Sequence, residues 1–380
     1  MLRPVLTLLP LALAALAPVQ QVTFVVAPDA EARWVAFELT PSNQIRFALT
    51  IGGRPAHAIL DTGLSDTIVT RAFADAAGLK ASGSEQALAI GGGVDVAWTR
   101  GATLAFGGLT RKGGRIGITD VPGQERFGAD AFIGSDTLGC CALDIDYAAR
   151  RFRILPTGRL PFAGTIAPLA RSPGSGVPTS EVRVAGKRLR PIIVDTGDGS
   201  SLTLTRAAWL AVGYKGPVTT TLGWGMGGGV VTDTAVVKTL VLPGRPAAES
   251  EVRVEGEDGF SARAGAAGRV GNGLLARYRV LLDPRAGRMV LSPAAMAPPV
   301  QRSTSGLLLG YSNGALEVLH VMRGSPAAEA GFRDRDRICA ADGAPVEKAP
   351  ASWTAGAPGR TVRLTMCDGS ERSLTLRLFY

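Results

Sequence analysis

AILDTGLSDT, residues 58–67, runs an apolar strand into a carboxylate and then directly into a turn. One D-T-G in a chain with 49 glycines decides little by itself. The reading turns on whether the motif recurs with its surroundings, and it does. LTIGGRPAHAILDTG (49–63) is answered by RVAGKRLRPIIVDTG (183–197). At one constant offset Gly52 falls on Gly186, Arg54 on Arg188, Ile59 and Leu60 on Ile193 and Val194, and Asp61 on Asp195. IVTRAF (68–73) is answered by TLTRAAW (203–209), GADAFIGSDTL (128–138) by GAAGRVGNGLL (265–275), and LDIDYAARRFRIL (143–155) by VLLDPRAGRMVL (280–291). Four matched segments in one order mark a duplicated unit.

Each copy reads as a strand, a short turn, a strand ending in D-T-G, and a further strand. A glycine-rich hairpin follows, LAIGGGVDVAW (88–98) or LGWGMGGGVV (222–231), then an apolar strand ending in glycine, a short helix and a closing hairpin. Short alternating runs, many turn residues and no long amphipathic helix predict a mostly β protein. The proline-, glycine- and serine-rich stretch 157–178 reads as the connection between copies, which places them at 40–156 and 179–293. Residues 19–39 form a segment before the first.

The net charge of +9 comes from 41 basic and 32 acidic residues. The arginines are scattered, and the densest groups (Arg150, Arg151, Arg153; Arg333, Arg335, Arg337) alternate with apolar or acidic residues. With no aromatic platform beside them, nucleic acid is not an expected partner. Residues 1–18, with Arg3 and an apolar stretch from Val5 to Leu16, read as an export signal too short for a membrane span, or else a retained tether. Small residues at Ala12 and Ala14 or at Ala15 and Ala17 suit cleavage, although Pro18 disfavours the second. The localisation expected is periplasmic or extracellular. Of the four cysteines, Cys140 and Cys141 are adjacent and would pair with each other only under strain. Cys339 and Cys367 lie in two candidate strands and could bridge.

An aspartate at the end of a buried strand has a fixed backbone and a carboxylate facing a cleft. Two such groups brought together share one proton, because both cannot ionise cheaply. The ionised member can then deprotonate a water while the protonated one donates to a carbonyl oxygen, which suffices for amide hydrolysis without metal or cofactor. With only His57 and His320, histidine-based nucleophilic or metal catalysis has little material. His57 reads as a hydrogen-bonded strand residue. Trp98 and Trp209 read as core or flap-packing residues. The hairpin glycines lack the Lys-Ser/Thr of a phosphate loop.

On these motifs residues 40–292 resemble the retropepsin-like aspartic proteases, the pepsin and retroviral family, with two lobes in one chain. The resemblance implies two duplicated β-barrel lobes forming one cleft. It makes Asp61 and Asp195 the catalytic pair, supported by Thr62, Gly63, Thr196 and Gly197. It places Gly91, Gly92, Gly93, Trp224, Gly225 and Gly227 in flaps over a polypeptide substrate. Two departures stand out. The family has Ser, Thr or Ala after D-T-G, where this chain has Leu64, which removes a hydroxyl contact, and Asp198, which adds a third acid. The reading favours Asp198 turned outward as a turn cap. Arg269 makes the second apolar-apolar-Gly segment a weaker match, and neither flap has the tyrosine typical of pepsins.

From Ser303 the texture changes. GSPAAEAGFRDRDRI (324–338) resembles the helix and strand of a bacterial-type PDZ domain, giving a small α+β unit at 301–380. The resemblance makes Leu307, Leu308, Leu309 and Gly310 the loop for a C-terminal peptide's carboxylate and 316–322 the edge strand to which that peptide adds. The function expected is an exported aspartic endopeptidase with a PDZ domain for substrate or partner. The alternative is a catalytically silent peptide-binding scaffold, which Leu64 and Asp198 keep open.

Overall fold

The computed structural model describes residues 21–122, 128–245, 248–294, 302–346 and 351–380. The segment read as an export signal lies outside them. Among the described residues no helix is long and apolar enough to cross a membrane.

Strand Ile45–Ile51 turns through Gly52 and Gly53, both at positive φ (58° and 79°), into strand Arg54–Leu60. That second strand ends in Ala58, Ile59 and Leu60, all fully buried. They are buried because a neighbour covers them: Ala131–Ile133 lies parallel, with Ala131 opposite Ala58 and Ile133 opposite Leu60. The same neighbour pairs antiparallel with Ile68–Thr70 on its far side. The chain therefore leaves the sheet at Asp61, crosses a turn, and re-enters two strands away. Thr70 then starts helix Arg71–Ala76, its Oγ1 accepting the Phe73 N–H at 3.2 Å.

The second half repeats this frame. Strand Lys187–Val194 runs into Asp195 with Gly268–Val270 parallel to it, and that strand is antiparallel to Leu202–Leu204. Thr205 caps helix Arg206–Val212 through the Ala208 N–H at 3.1 Å. Gly213 ends the helix at φ 67°, a left-handed position that glycine adopts without a Cβ penalty.

The closing hairpins join the halves. Ala142–Asp146 lies antiparallel to Tyr278–Asp283, with Leu143 opposite Leu282 and Asp146 opposite Arg279. Their partners Arg151–Leu155 and Arg288–Pro293 extend the sheet, which ends in Thr165–Pro168 on one side and runs on through Val35–Leu39 into the first half on the other. Asp144, fully buried on one central strand, accepts from Arg153 on its own half and Arg279 on the other. One continuous apolar core includes Phe47 and Phe152 from the first half and Trp209 and Leu282 from the second.

Three expectations change here. Part of the segment expected to precede the first copy is built into it: Thr23–Val26 pairs with Leu109–Lys112, and Val35–Leu39 with Arg151–Phe152 and Ile45–Phe47. The connecting stretch contains strand Thr165–Pro168 of the joining sheet and Ala170–Arg171, which pairs with Pro178–Thr179. Cys140 and Cys141 are bonded to each other at the end of the helical turn Ser135–Leu138.

A separate core containing Leu307, Val318, Phe332, Ile338, Trp353 and Leu364 organises the C-terminal unit. Its sheet order is Leu307–Ser312, Ala315–Val321, Arg337–Ala341, Thr361–Met366, Glu371–Thr375. Ser325 caps the short helix Pro326–Glu329 through the Ala328 N–H. Residues 316–322 are therefore not an edge: strand Ala315–Val321 is enclosed on both sides. Leu307, Leu308, Leu309 and Gly310 form the edge strand rather than a loop, because Leu307 and Leu309 alternate into the core.

Cys339 and Cys367 are bonded across neighbouring strands, 28 residues apart. Cross-linking a loop of that length constrains the unfolded chain by about 3 kcal/mol. The double Cys339→Ser, Cys367→Ser variant is expected to lower the unfolding free energy of the C-terminal unit by that amount, read from the shift of its urea transition. Its aspartate-bearing halves should keep their own transition.

Candidate active site

Asp61 and Asp195 meet where the two halves face each other. The Asp61 N–H donates to Ile133 O at 3.1 Å and the Asp195 N–H to Val270 O at 2.9 Å, so each is pinned by the apolar-apolar-Gly strand of its own half. A Cβ at Gly63 would collide with the Asp195 carboxyl, and one at Gly197 with the Asp61 carboxyl. Each D-T-G glycine thus clears the space that the opposite acid occupies. Asp61 Oδ1 accepts the Leu64 N–H at 3.0 Å, and Asp195 Oδ1 those of Gly197 and Asp198 at 2.9 and 3.2 Å.

The threonines interlock the halves. Thr62 Oγ1 donates to Val194 O at 2.6 Å and accepts the Thr196 N–H at 3.0 Å. Thr196 Oγ1 donates to Leu60 O at 2.7 Å and accepts the Thr62 N–H at 3.1 Å. Behind them, Ser135 Oγ donates to Thr62 O and Asn272 Nδ2 to Thr196 O, both at 2.7 Å. Sequence reading passed over Ser135 and Asn272, although each directly follows the glycine of its strand. It also passed over Asn43 and Gln44, whose side-chain amides donate to Gly199 O and Gly197 O from the turn before Ile45.

The glycine-rich hairpins close over the pair. One runs through Ser84–Ala89 and Gly92–Arg100, the other through Thr219–Gly225 and Gly228–Val241. Their tips touch: the Gly227 N–H donates to Ile90 O at 2.9 Å. Gly91, at φ 95°, has no room for a side chain because a Cβ there would lie 2.7 Å from the Gly227 backbone. Gly93 has looser surroundings, and Gly92 takes a positive φ of 142°. Two cavities lie beneath. One of about 420 Å³ holds Asp61, Asp195, Leu64, Gly225 and Met226. The other, about 680 Å³, holds Asp198, Arg253, Glu255 and Arg269. Gln44, Ile90, Gly197 and Trp224 border both, so the two cavities adjoin beneath the hairpins.

Asp198 departs from expectation. It does cap its turn, Oδ1 accepting the Ser200 N–H at 2.8 Å, but its side chain points inward. Oδ2 takes the Arg269 Nε–H at 2.7 Å, and Arg269 also pairs with Glu255; all three side chains are at least nine-tenths buried. The arginine that weakened the second apolar-apolar-Gly match is the partner that lets a third acid be buried there. Leu64 packs with Val121, Phe132 and Met226.

Burial raises Asp61 well above the ordinary carboxylate range, and the charge of Asp195 pushes it further. Asp195 is pushed up to about 6 by burial and by Asp198, with Arg269 acting in the opposite direction. Asp198 itself stays below its usual range, because Arg269 and Arg253 outweigh the cost of its burial.

Residues 47–137 match the aspartyl protease family model. The match spans Asp61, the first hairpin and the strand Ala131–Ile133, and it supports an aspartyl protease-type activity, a hydrolase acting on polypeptide. Asp195 and the second hairpin lie beyond it. No curated protein matches the chain.

Replacing Thr62 or Thr196 by Ala leaves a buried carbonyl and a buried N–H without partners, costing about 1–3 kcal/mol for each group. Either variant should lower unfolding free energy by that order, measured by chemical denaturation. Thr→Ser at the same positions should recover most of it.

Proposed function

We propose that the chain is an exported aspartic endopeptidase in which two lobes of one polypeptide build a single active site. The observation that carries this reading is the reciprocal packing of Asp61 and Asp195, each against the other's D-T-G glycine, with Thr62 and Thr196 interlocked between them. Such a pair holds one proton. Its ionised carboxylate removes a proton from water, and the oxygen attacks the scissile carbonyl carbon. The protonated carboxyl gives its proton to the carbonyl oxygen, forming a gem-diol. Collapse of the gem-diol, with proton transfer to the amide nitrogen, breaks the C–N bond and returns the acid pair to its starting state.

The two features that favoured a silent scaffold have structural explanations. The charge of Asp198 is held by Arg269, and Leu64 lies in an apolar cluster beside the cleft. Export is supported by the apolar segment near the N-terminus and by two disulfides, which persist in oxidising compartments. For the C-terminal unit we propose a PDZ-like role in holding substrate or a partner. The amides of Gly306 and Leu307 are taken by the Ser303 and Ser305 hydroxyls, so the open edge of Leu307–Ser312 is the surface offered to a peptide strand. The unit also grips the base of the second hairpin: Thr219 Oγ1 donates to Arg323 O at 2.7 Å, and Thr220 Oγ1 bonds His320 Nε2 at 2.8 Å.

Asp61→Asn and Asp195→Asn should each reduce peptide cleavage by roughly a thousandfold or more with the fold retained, checked by peptide-library digestion beside circular dichroism. Cleavage by the double variant at the wild-type rate would exclude the mechanism.

The active form carries one proton on the pair. When both carboxyls are protonated the base is lost and water activation fails, and burial together with the charge of Asp198 raises Asp195 and so raises the pH at which this happens. Above the upper step, set by the raised Asp61, the donor is lost. kcat/KM should therefore be bell-shaped, falling on both sides of the range in which the pair holds one proton. Asp198→Asn removes a like charge while leaving Arg269 paired with Glu255, so it should move the acid limb to lower pH.

A further inference from the structure

The two halves present different chemistry to the cleft at equivalent positions. The residue after D-T-G is Leu64 in the first half and Asp198 in the second. The middle residue of the supporting strand is Phe132 in the first and Arg269 in the second. On the first side Leu64 and Phe132 cluster with Val121, Ile59 and Met226, the last from the tip of the opposite hairpin. On the second side the cavity wall carries Asp198, Glu255 and Arg269, paired among themselves, and Arg253.

Arg253 lines that cavity outside the Asp198–Arg269–Glu255 cluster. Its Nε donates to Glu251 at a long 3.4 Å, and its charge also acts on Asp198. Its Nη1 stands beneath the hairpin strand, close enough that a side chain on Gly223 would touch it at 3.4 Å. The two acids of the inner wall face Arg269 at close range, so neither is open to a substrate cation. A guanidinium only donates hydrogen bonds, so its match is a side chain ending in an oxygen acceptor. Asp258 and Arg263, exposed at the mouth of the same cavity, offset each other in charge and leave the selection to the inner wall.

We propose that the cleft selects peptides asymmetrically: a large apolar side chain on one side of the scissile bond, against Leu64, Phe132 and Met226, and an oxygen-tipped side chain (Glu, Gln, Asp or Asn) on the other, held by Arg253. This rests on the endopeptidase reading above and names the substrate class for that site. Residues flanking both aspartates then act together, and a peptide apolar on both sides covers the Arg253 guanidinium without offering it an acceptor.

The test has two arms. In the first, the wild-type chain digests a peptide library varied on both sides of the cleaved bond. Cut sites should show the apolar and oxygen-tipped preferences on opposite sides. Arg253→Met should lose at least about tenfold of the oxygen-tipped preference while still cutting, and Arg253→Lys should keep part of it for carboxylates. Leu64→Ser should weaken the apolar preference alone. In the second arm, fluorescence anisotropy measures binding of the same peptides, uncut, to the Asp61→Asn variant and to Asp61→Asn with Arg253→Met. A chain that cuts nothing yet binds with this asymmetry would overturn the endopeptidase reading and keep the selection. Apolar preference on both sides, or an Arg253→Met profile identical to its parent in both arms, would overturn the selection.

Discussion

Two buried carboxylates held against each other are the constraint on which the rest of this structure depends. Left to themselves they would repel and draw in water. Here each is fixed by its own strand, faces a glycine of the other half, and is locked by a threonine whose hydroxyl both donates to and accepts from the opposite turn. Removing either threonine hydroxyl strands buried polar groups of the opposite half. The arrangement therefore fixes the relative position of the halves, and the joining sheet with Asp144 buried between Arg153 and Arg279 holds that position from behind.

Around this near-symmetric centre the surroundings are unequal. One side of the cleft is apolar; the other contains a buried arginine between two acids. Burying three charges is costly unless they satisfy one another. Asp198, Glu255 and Arg269 do so with the help of Ser261, whose N–H donates to Glu255 and whose hydroxyl accepts from Arg269. The charge of Asp198 acts on Asp195 directly and on Asp61 only through the pair. On the proposed reading, the duplicated frame supplies the chemistry and the divergence between copies supplies selectivity.

Much of the frame was legible in the sequence because it depends on local patterns said twice: an apolar run ending in D-T-G, a glycine-rich hairpin, a strand closed by glycine. Period-2 burial and positive-φ glycines are properties of short segments, and short segments can be compared. Contacts between distant segments were not legible. Asp198 read as an outward cap because its cation, Arg269, lies 71 residues on in a strand where an apolar residue was expected. Asn43 and Gln44 reach across to the second turn from a turn that the sequence assigned to the first copy alone. Leu307 to Gly310 read as a loop because GLLLG (306–310) resembles the carboxylate loop of a PDZ domain, and strand pairing decided otherwise. The adjacent Cys140 and Cys141 read as a pair that would form only under strain, and they are bonded.

The central claim is that one chain, using one aspartate from each half, makes one site. The direct measurement is calorimetric titration of the chain with a peptide carrying a secondary alcohol in place of the scissile amide, a mimic of the gem-diol. The oligomeric state would be fixed by sedimentation in the same buffer. The account expects one ligand per chain, with binding lost in Asp61→Asn and equally in Asp195→Asn. One ligand per two chains, or binding that survives either substitution unchanged, would contradict it.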